Sequence, residues 1–345
     1  MSPRQPTAVD AFCGAGGLSL GLLEVGFDVR LAFDADPVAV DTYRLNIADH
    51  VQELDAYLLT PSELLEHAGV GFGELGLLAG GPPCQGFSIQ RPSNGADPRN
   101  QLVLRFLDLI EGTHPVTFLM ENVPAIRSVR GKHLVGTIMD RTTRLGYACY
   151  IETLNAAAYG VAQRRKRAFL IGVRMGLPLF QWPSPTHPSH LTVRDVLSDL
   201  PSPPPGGQPH PHVANHYREG KLSARNLERI KHVPPGGGRE HLPEELQLAC
   251  HQSGHRHLDT YGRLAWDEPS GTITARFDSF TRGRFAHPEE HRSITLREGA
   301  RLQGFPDSFV FLGSREDGAR MIGNAVPPPL AAALGRSLRA VIDED

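Results

Sequence analysis

Cys84 stands between a double-proline turn and a polar, glycine-bearing stretch, in Gly80-Gly81-Pro82-Pro83-Cys84-Gln85-Gly86-Phe87-Ser88. An apolar run at residues 75–79 leads straight into it, so the thiol is expected at the carboxyl end of a parallel strand, where open α/β sheets place their ligands. A cysteine there has little core to join, and a thiolate is a strong nucleophile at neutral pH. A second chemistry-bearing stretch is Asp10-Ala11-Phe12-Cys13-Gly14-Ala15-Gly16-Gly17-Leu18-Ser19, a strand that runs into a glycine turn and then a helix. Such a turn lets backbone approach a ligand and sets a helix N-terminus against its polar end. Asp34, at the end of the next predicted strand, is placed to accept hydrogen bonds from ribose hydroxyls. Taken alone, this loop and Asp34 also suit a nicotinamide-dependent dehydrogenase. A third stretch is Glu121-Asn122-Val123, and a fourth is the basic run Gln163-Arg164-Arg165-Lys166-Arg167.

Positioning these residues requires alternating strands and helices. Short apolar runs at 8–12, 29–33, 75–79, 117–120, 149–154 and 168–173 alternate with amphipathic segments, which predicts βα units feeding a mostly parallel, doubly wound sheet. Asp36 before Pro37 marks a helix start, and Thr60-Pro61-Ser62-Glu63 adds a capping box. After about residue 177 prolines and histidines crowd the chain, with Pro203-Pro204-Pro205-Gly206-Gly207 and Pro234-Pro235-Gly236-Gly237-Gly238, so a smaller, loop-rich lobe is expected at 178–290. Order returns in 291–345, where Thr295-Leu296-Arg297-Glu298 caps a helix and Pro327-Pro328 opens a last one. The expected organisation is therefore a catalytic and cofactor domain at 1–177, the inserted lobe, and a C-terminal segment returning to the first domain.

Composition narrows the classes. Of the 345 residues, 21% are charged and the formal net charge is −3, so binding to nucleic acid must come from local basic patches rather than a global field. Candidate patches are residues 164–167 and the series Arg276, Arg282, Arg284, Arg292, Arg297 and Arg301. The four cysteines form no C-x-x-C pair, which fits free thiols in a reducing compartment. No apolar run approaches the roughly 18 residues of a membrane span, and Met1 to Thr7 has neither a basic nor an apolar leader region. An intracellular enzyme with no membrane association is expected. Cys250, His251, His255 and His257 lack the spacing of a standard zinc site, and no metal is expected.

Taken together, Pro82-Pro83-Cys84-Gln85, Glu121-Asn122-Val123 and Gln163-Arg164-Arg165-Lys166-Arg167, in that order, resemble the DNA (cytosine-5) methyltransferase family of bacterial type. His287-Pro288, Arg301-Leu302-Gln303-Gly304-Phe305-Pro306 and Gly323-Asn324-Ala325-Val326-Pro327 resemble that family's closing blocks. The resemblance implies a Rossmann-like S-adenosyl-L-methionine-dependent fold, S-adenosyl-L-homocysteine as product, and double-stranded DNA as substrate. It implies Cys84 as the nucleophile at carbon 6, Glu121 as donor at N3, Arg165 at O2, and Arg167 in support of Arg165 on the same strand face, with Asn122 bracing the cysteine loop. For the cofactor it implies Phe12, Gly14, Gly16, Asp34, Asp55, Asn324 and Val326; for DNA, Gln85, Ser88, Arg276, Arg282 and Arg284. A target base would be flipped out of the duplex, and residues 85–100 would close over it as a lid. A nucleoid-associated cytoplasmic monomer is expected, working beside a separate cognate restriction endonuclease. The stretch Ser279-Phe280-Thr281-Arg282-Gly283-Arg284 keeps an RNA cytosine-5 methyltransferase as the alternative.

Overall fold

The computed structural model describes residues 5–83, 101–129, 131–218, 222–248 and 259–344. It divides the chain into two compact units, one of Met1–Tyr159, Lys166–Pro185 and Val326–Asp345, the other of Gly160–Arg165 and Thr186–Ala325. Residues 291–325 thus group with the second unit, and the chain rejoins the first at Val326, later than the boundary expected at 291.

The first unit runs β1 (Thr7–Ala11), α1 (Gly17–Glu24), β2 (Asp28–Asp34), α2 (Pro37–Asn46), β3 (Val51–Glu53), α3 (Pro61–Ala68), β4 (Leu77–Gly80), α4 (Gln101–Thr113), β5 (Thr117–Asn122), α5 (Lys132–Arg144), β6 (Tyr147–Asn155) and β7 (Lys166–Arg174). Its sheet has the order β3-β2-β1-β4-β5-β7-β6. Only β7 is reversed, antiparallel to both β5 and β6, and the other pairings are parallel. The expected mostly parallel α/β sheet is therefore present. Alternation along the strands separates two faces. Leu31 and Phe33 join Phe106, Leu64 and Ile138 of α4, α3 and α5 in one core, whereas Ala32 joins Val40 and Tyr43 of α2 in another.

Helix starts are formed as the capping chemistry requires. Asp36 accepts from the Val38 amide with Pro37 in the first turn, and Thr60 and Glu63 complete a capping box. The second unit contains α6 (Val193–Leu197), α7 (Ala224–His232), β8 (Gly262–Arg263), β9 (Arg284–Ala286), α8 (Leu296–Gln303) and α9 (Arg315–Asn324). β8 and β9 pair in a two-stranded sheet over a small core of Ile230, Val233, Leu242, Tyr261, Phe280 and Ala286.

The last helix, α10 (Pro328–Ile342), returns to the first unit and buries Leu330, Ala331, Leu334, Leu338 and Val341. Its partner α1 approaches so closely that a Cβ on Gly21 would lie 2.5 Å from the Ala331 Cβ and 2.5 Å from the Pro328 carbonyl oxygen. Backbone blocks relief on that side, so Gly21→Val is expected to lower stability by about 1–3 kcal/mol or more. A urea denaturation curve with an unchanged midpoint would show that the helices do not pack this tightly.

Candidate active site

Strand ends of the first unit bring Phe12, Gly14, Asp34, Glu121 and Asn122 to one edge of the sheet. After β1 the chain turns sharply through Phe12, Gly14 and Gly16, with φ of 58°, 53° and 95°. Glycine takes this left-handed region without strain, and Phe12 does not. The Phe12 ring lies 6.0 Å from Phe33 and 6.5 Å from Phe106, so aromatic packing holds it there. A Cβ on Gly14 would meet nothing within 4 Å, which leaves open space in front of the loop, while one on Gly16 would strike Tyr43 and Ile47.

Asp34, ending β2, fastens this loop. One carboxylate oxygen accepts from the Gly14 amide at 2.9 Å and the other from the Asp36 amide at 3.0 Å. Burial pushes its pKa up against those bonds, and each oxygen keeps a lone pair for a further donor. Asp55, beyond β3, is exposed and accepts from the Tyr57 amide at 2.9 Å. An open glycine face flanked by carboxylates at the ends of β2 and β3 can hold a nucleoside that carries a charged tail.

Asp10 was not singled out from the sequence. Its buried carboxylate accepts from the Ser19 hydroxyl at 2.6 Å, tying the end of β1 to the first turns of α1 across the glycine loop. Burial raises its pKa to about 7, against the lowering effect of the Ser19 hydrogen bond. An aspartate in an apolar strand followed nine residues on by a serine in the helix was the available signal.

At the neighbouring strands the carboxylate of Glu121 pairs with the Arg167 guanidinium at 2.9 Å, both side chains largely buried. A Cβ on Gly81 would lie 3.3 Å from the second Glu121 oxygen, so the chain leading to Cys84 passes against that carboxylate. Buried Asn122 donates from its side-chain amide to the Pro82 carbonyl at 3.2 Å, and its oxygen accepts from the Val123 amide at 2.9 Å. Cys84, Gln85, Ser88 and the lid expected at 85–100 lie outside the described residues.

The arginines divide differently from the sequence reading. β7 begins at Lys166, so Arg165 and Arg167 do not share a strand, and only Arg167 belongs to the first unit. Arg165 is fully buried in the second unit and donates to the Ile273 carbonyl at 3.0 Å. The residues before it are pinned there as well. Arg164 donates its backbone amide to the Ser270 carbonyl, and the Gln163 side chain bonds Ile273, Leu302 and Gln303. Asn324 is exposed at the end of α9 in the second unit, and Val326 is buried in the first.

Half of the supposed phosphate-binding series is internal structure. Arg292 makes two 2.7 Å bonds to Glu298, and Arg297 is fully buried with donors on the carbonyls of Ala214, Pro306 and Phe309. Arg301 bonds Asp307, Asp199 and the Val196 carbonyl. Among the DNA candidates, Arg276 pairs with Asp278 and Glu316, and Arg284 with Asp259. Arg282 is exposed, with no ion-pair partner for its guanidinium among the described residues. Cys250, His251, His255 and His257 are not described, and no group of three or more ligating side chains is found among the residues that are. No helix among the described residues is long and apolar enough to cross a membrane.

The family model for C-5 cytosine-specific DNA methylases matches residues 7–340. The chain belongs to this family. A type II methyltransferase of Haemophilus parahaemolyticus is 36% identical to this methyltransferase, over 96% of the present chain and 86% of that relative. A type II methylase of Herpetosiphon aurantiacus is 33% identical over 97% and 95%. Among solved structures, a DNA modification methyltransferase encoded within an E. coli prophage superposes with a TM-score of 0.77 at 26% identity, covering 99% of this chain and 100% of that one. The enzyme is thus a DNA cytosine-5 methyltransferase similar over its full length to type II modification enzymes.

Two expected outcomes follow from the glycine-loop and cysteine-loop ties. Because the folded state holds the Asp10 proton more tightly than the unfolded chain, Asp10 contributes stability at acid pH that is lost as pH rises from about 4 through about 7. Asp10→Asn removes that loss, so its stability relative to the parent is expected to rise by about 2–3 kcal/mol between pH 5 and pH 8. Paired urea titrations at the two pH values measure it, and a constant difference would contradict the buried, titrating carboxyl. Asn122→Ala is expected to lower stability by only about 1–2 kcal/mol yet to cut turnover at least tenfold. Equal small losses in both would mean that the Pro82 tie has no catalytic role.

Proposed function

We propose that the enzyme methylates a flipped cytosine in double-stranded DNA through a covalent bond from Cys84 to carbon 6 of the base. The observation that carries this reading is the tie from Asn122 to Pro82, which brings the chain entering Cys84 against the Glu121–Arg167 pair.

Carbon 5 of an aromatic cytosine is a poor nucleophile. Attack by the Cys84 thiolate on carbon 6 pushes electrons into the ring, which Glu121 receives by donating a proton or hydrogen bond at N3 and Arg165 by donating to O2. Arg167 orients Glu121 through their ion pair. Carbon 5 is then enamine-like and able to accept a methyl group, after which its proton leaves to solvent. Elimination of the thiolate restores the ring. Covalent addition divides one difficult substitution into easier steps.

S-adenosyl-L-methionine supplies the electrophilic methyl group when bound. The first unit's residues fit such a ligand: Phe12 to stack on it, Gly14 and Gly16 to admit the methionine end, Asp34 for the ribose and Asp55 for the adenine amine. We assign Asn324 and Val326 to the same role from the family motif alone. Asp34 has a second duty, since it also braces the glycine loop.

Gln85, Ser88, Arg276, Arg282 and Arg284 are assigned to DNA. Arg276 and Arg284 must exchange their carboxylate partners for phosphates, so Arg282 is expected to contribute most to non-specific affinity. Modification of host DNA alongside a separate endonuclease, by a cytoplasmic, nucleoid-associated monomer, is the biological setting consistent with the type II relatives.

Bisulfite sequencing of DNA from cells expressing the enzyme is expected to show protected cytosines in one short sequence context. Cys84→Ser is expected to lose turnover by 1,000-fold or more and to lose the adduct trapped on duplex DNA bearing 5-fluorocytosine, whose carbon 5 has no proton to release. Undiminished turnover in Cys84→Ser would sink the covalent mechanism. Methylation of transfer RNA but not of duplex DNA in a competition assay would favour the RNA alternative.

A further inference from the structure

A side chain outside the stretches that carry the family resemblance reaches the turn after Asp55. Arg105, on α4, donates from Nε to the Ala56 carbonyl at 2.9 Å and from one terminal nitrogen to the Leu59 carbonyl at 2.6 Å. Those carbonyls belong to the turn that begins at Asp55, whose own carbonyl accepts from the amides of Leu58 at 2.9 Å and Leu59 at 3.1 Å. Asp55 is exposed, and its carboxylate is held by the Tyr57 amide of the same turn, so the shape of the turn sets where the carboxylate points.

The helix carrying Arg105 is firmly held. Val103, Phe106, Leu107 and Ile110 of α4 are buried in the main core, and Asp108 pairs with Arg141 of α5 at 2.7 Å. A guanidinium presents donors in a fixed planar fork, which matches two carbonyls at a set separation better than a lysine's point charge does.

We propose that Arg105 is a positioning residue that holds the Asp55 turn in the shape that reads the adenine ring of the methyl donor. This rests on the assignment of Asp55 to the adenine amine. Arg105 touches neither cofactor nor base. Its effect passes through the turn and falls on cofactor affinity rather than on the chemical step.

Calorimetric titration of S-adenosyl-L-homocysteine into the full chain tests this, using the parent, Asp55→Ala, Arg105→Ala, Arg105→Lys and the Asp55→Ala/Arg105→Ala double variant. Arg105→Ala is expected to weaken binding about tenfold, Arg105→Lys by less, and the double variant no further than Asp55→Ala alone, because both act through one contact. In steady state KM for the methyl donor should rise with kcat nearly unchanged.

If Asp55→Ala binds as tightly as the parent, the adenine assignment and this inference both fail. If Asp55→Ala binds weakly but the two substitutions add independently, or Arg105→Ala binds like the parent, the inference alone is overturned. Should Arg105→Ala not fold, Arg105→Lys combined with Asp55→Ala carries the same additivity test.

Discussion

The amide of Asn122 on the carbonyl of Pro82 joins the ends of two adjacent parallel strands, and the catalytic reading depends on that join. A proline-locked turn needs an outside anchor to fix its direction, since its own backbone offers few donors. Asn122 supplies one from a buried position, where an unmade hydrogen bond would be costly. Its neighbour Glu121 is then next to the same turn without any further device, because consecutive residues of a strand end share one edge of the sheet.

Around the glycine loop a comparable economy holds. Asp10 and Asp34 bond opposite sides of the turn, one through Ser19 and one through the Gly14 amide. Burial is the larger cause of the raised proton affinity at both, and a neighbouring carboxylate adds to it, Asp34 beside Asp10 and Asp36 beside Asp34. The loop is thereby a rigid surface presented to a ligand, with strain at Phe12 borne by packing against Phe33 and Phe106.

Much of this was legible in the sequence because local chemistry announces it. Asp36, Thr60 and Thr295 each cap a helix at the position where their spacing to a proline or an acid indicates. Strand β3 is absent from the expected elements because Val51-Gln52-Glu53 offers one buried apolar residue, too few for an alternating pattern. The expectation for 291–345 lacks helix α9, although Ser314 and Asp317 form a capping box of the kind that opens α3 and α8. The arginines were the least legible. Arg297 looks like any surface cation in sequence, and its three carbonyl partners, between 9 and 83 residues away, together with the Asp307 carboxylate at 3.9 Å, make burial tolerable. Likewise, alternation around Lys166 says nothing about where the strand begins, so Arg165 and Arg167 look like a pair while serving different units.

The close fit of α1 against α10 has a consequence for biosynthesis. Helix α1 leaves the ribosome more than three hundred residues before its partner, so its apolar face must wait through the synthesis of that whole stretch for a cover. The sheet can start to assemble on the nascent polypeptide, but the methyltransferase domain cannot close until α10 has emerged. A product stopped short of Pro328 would therefore display an uncovered helix face, which marks it as a substrate for chaperones and proteases.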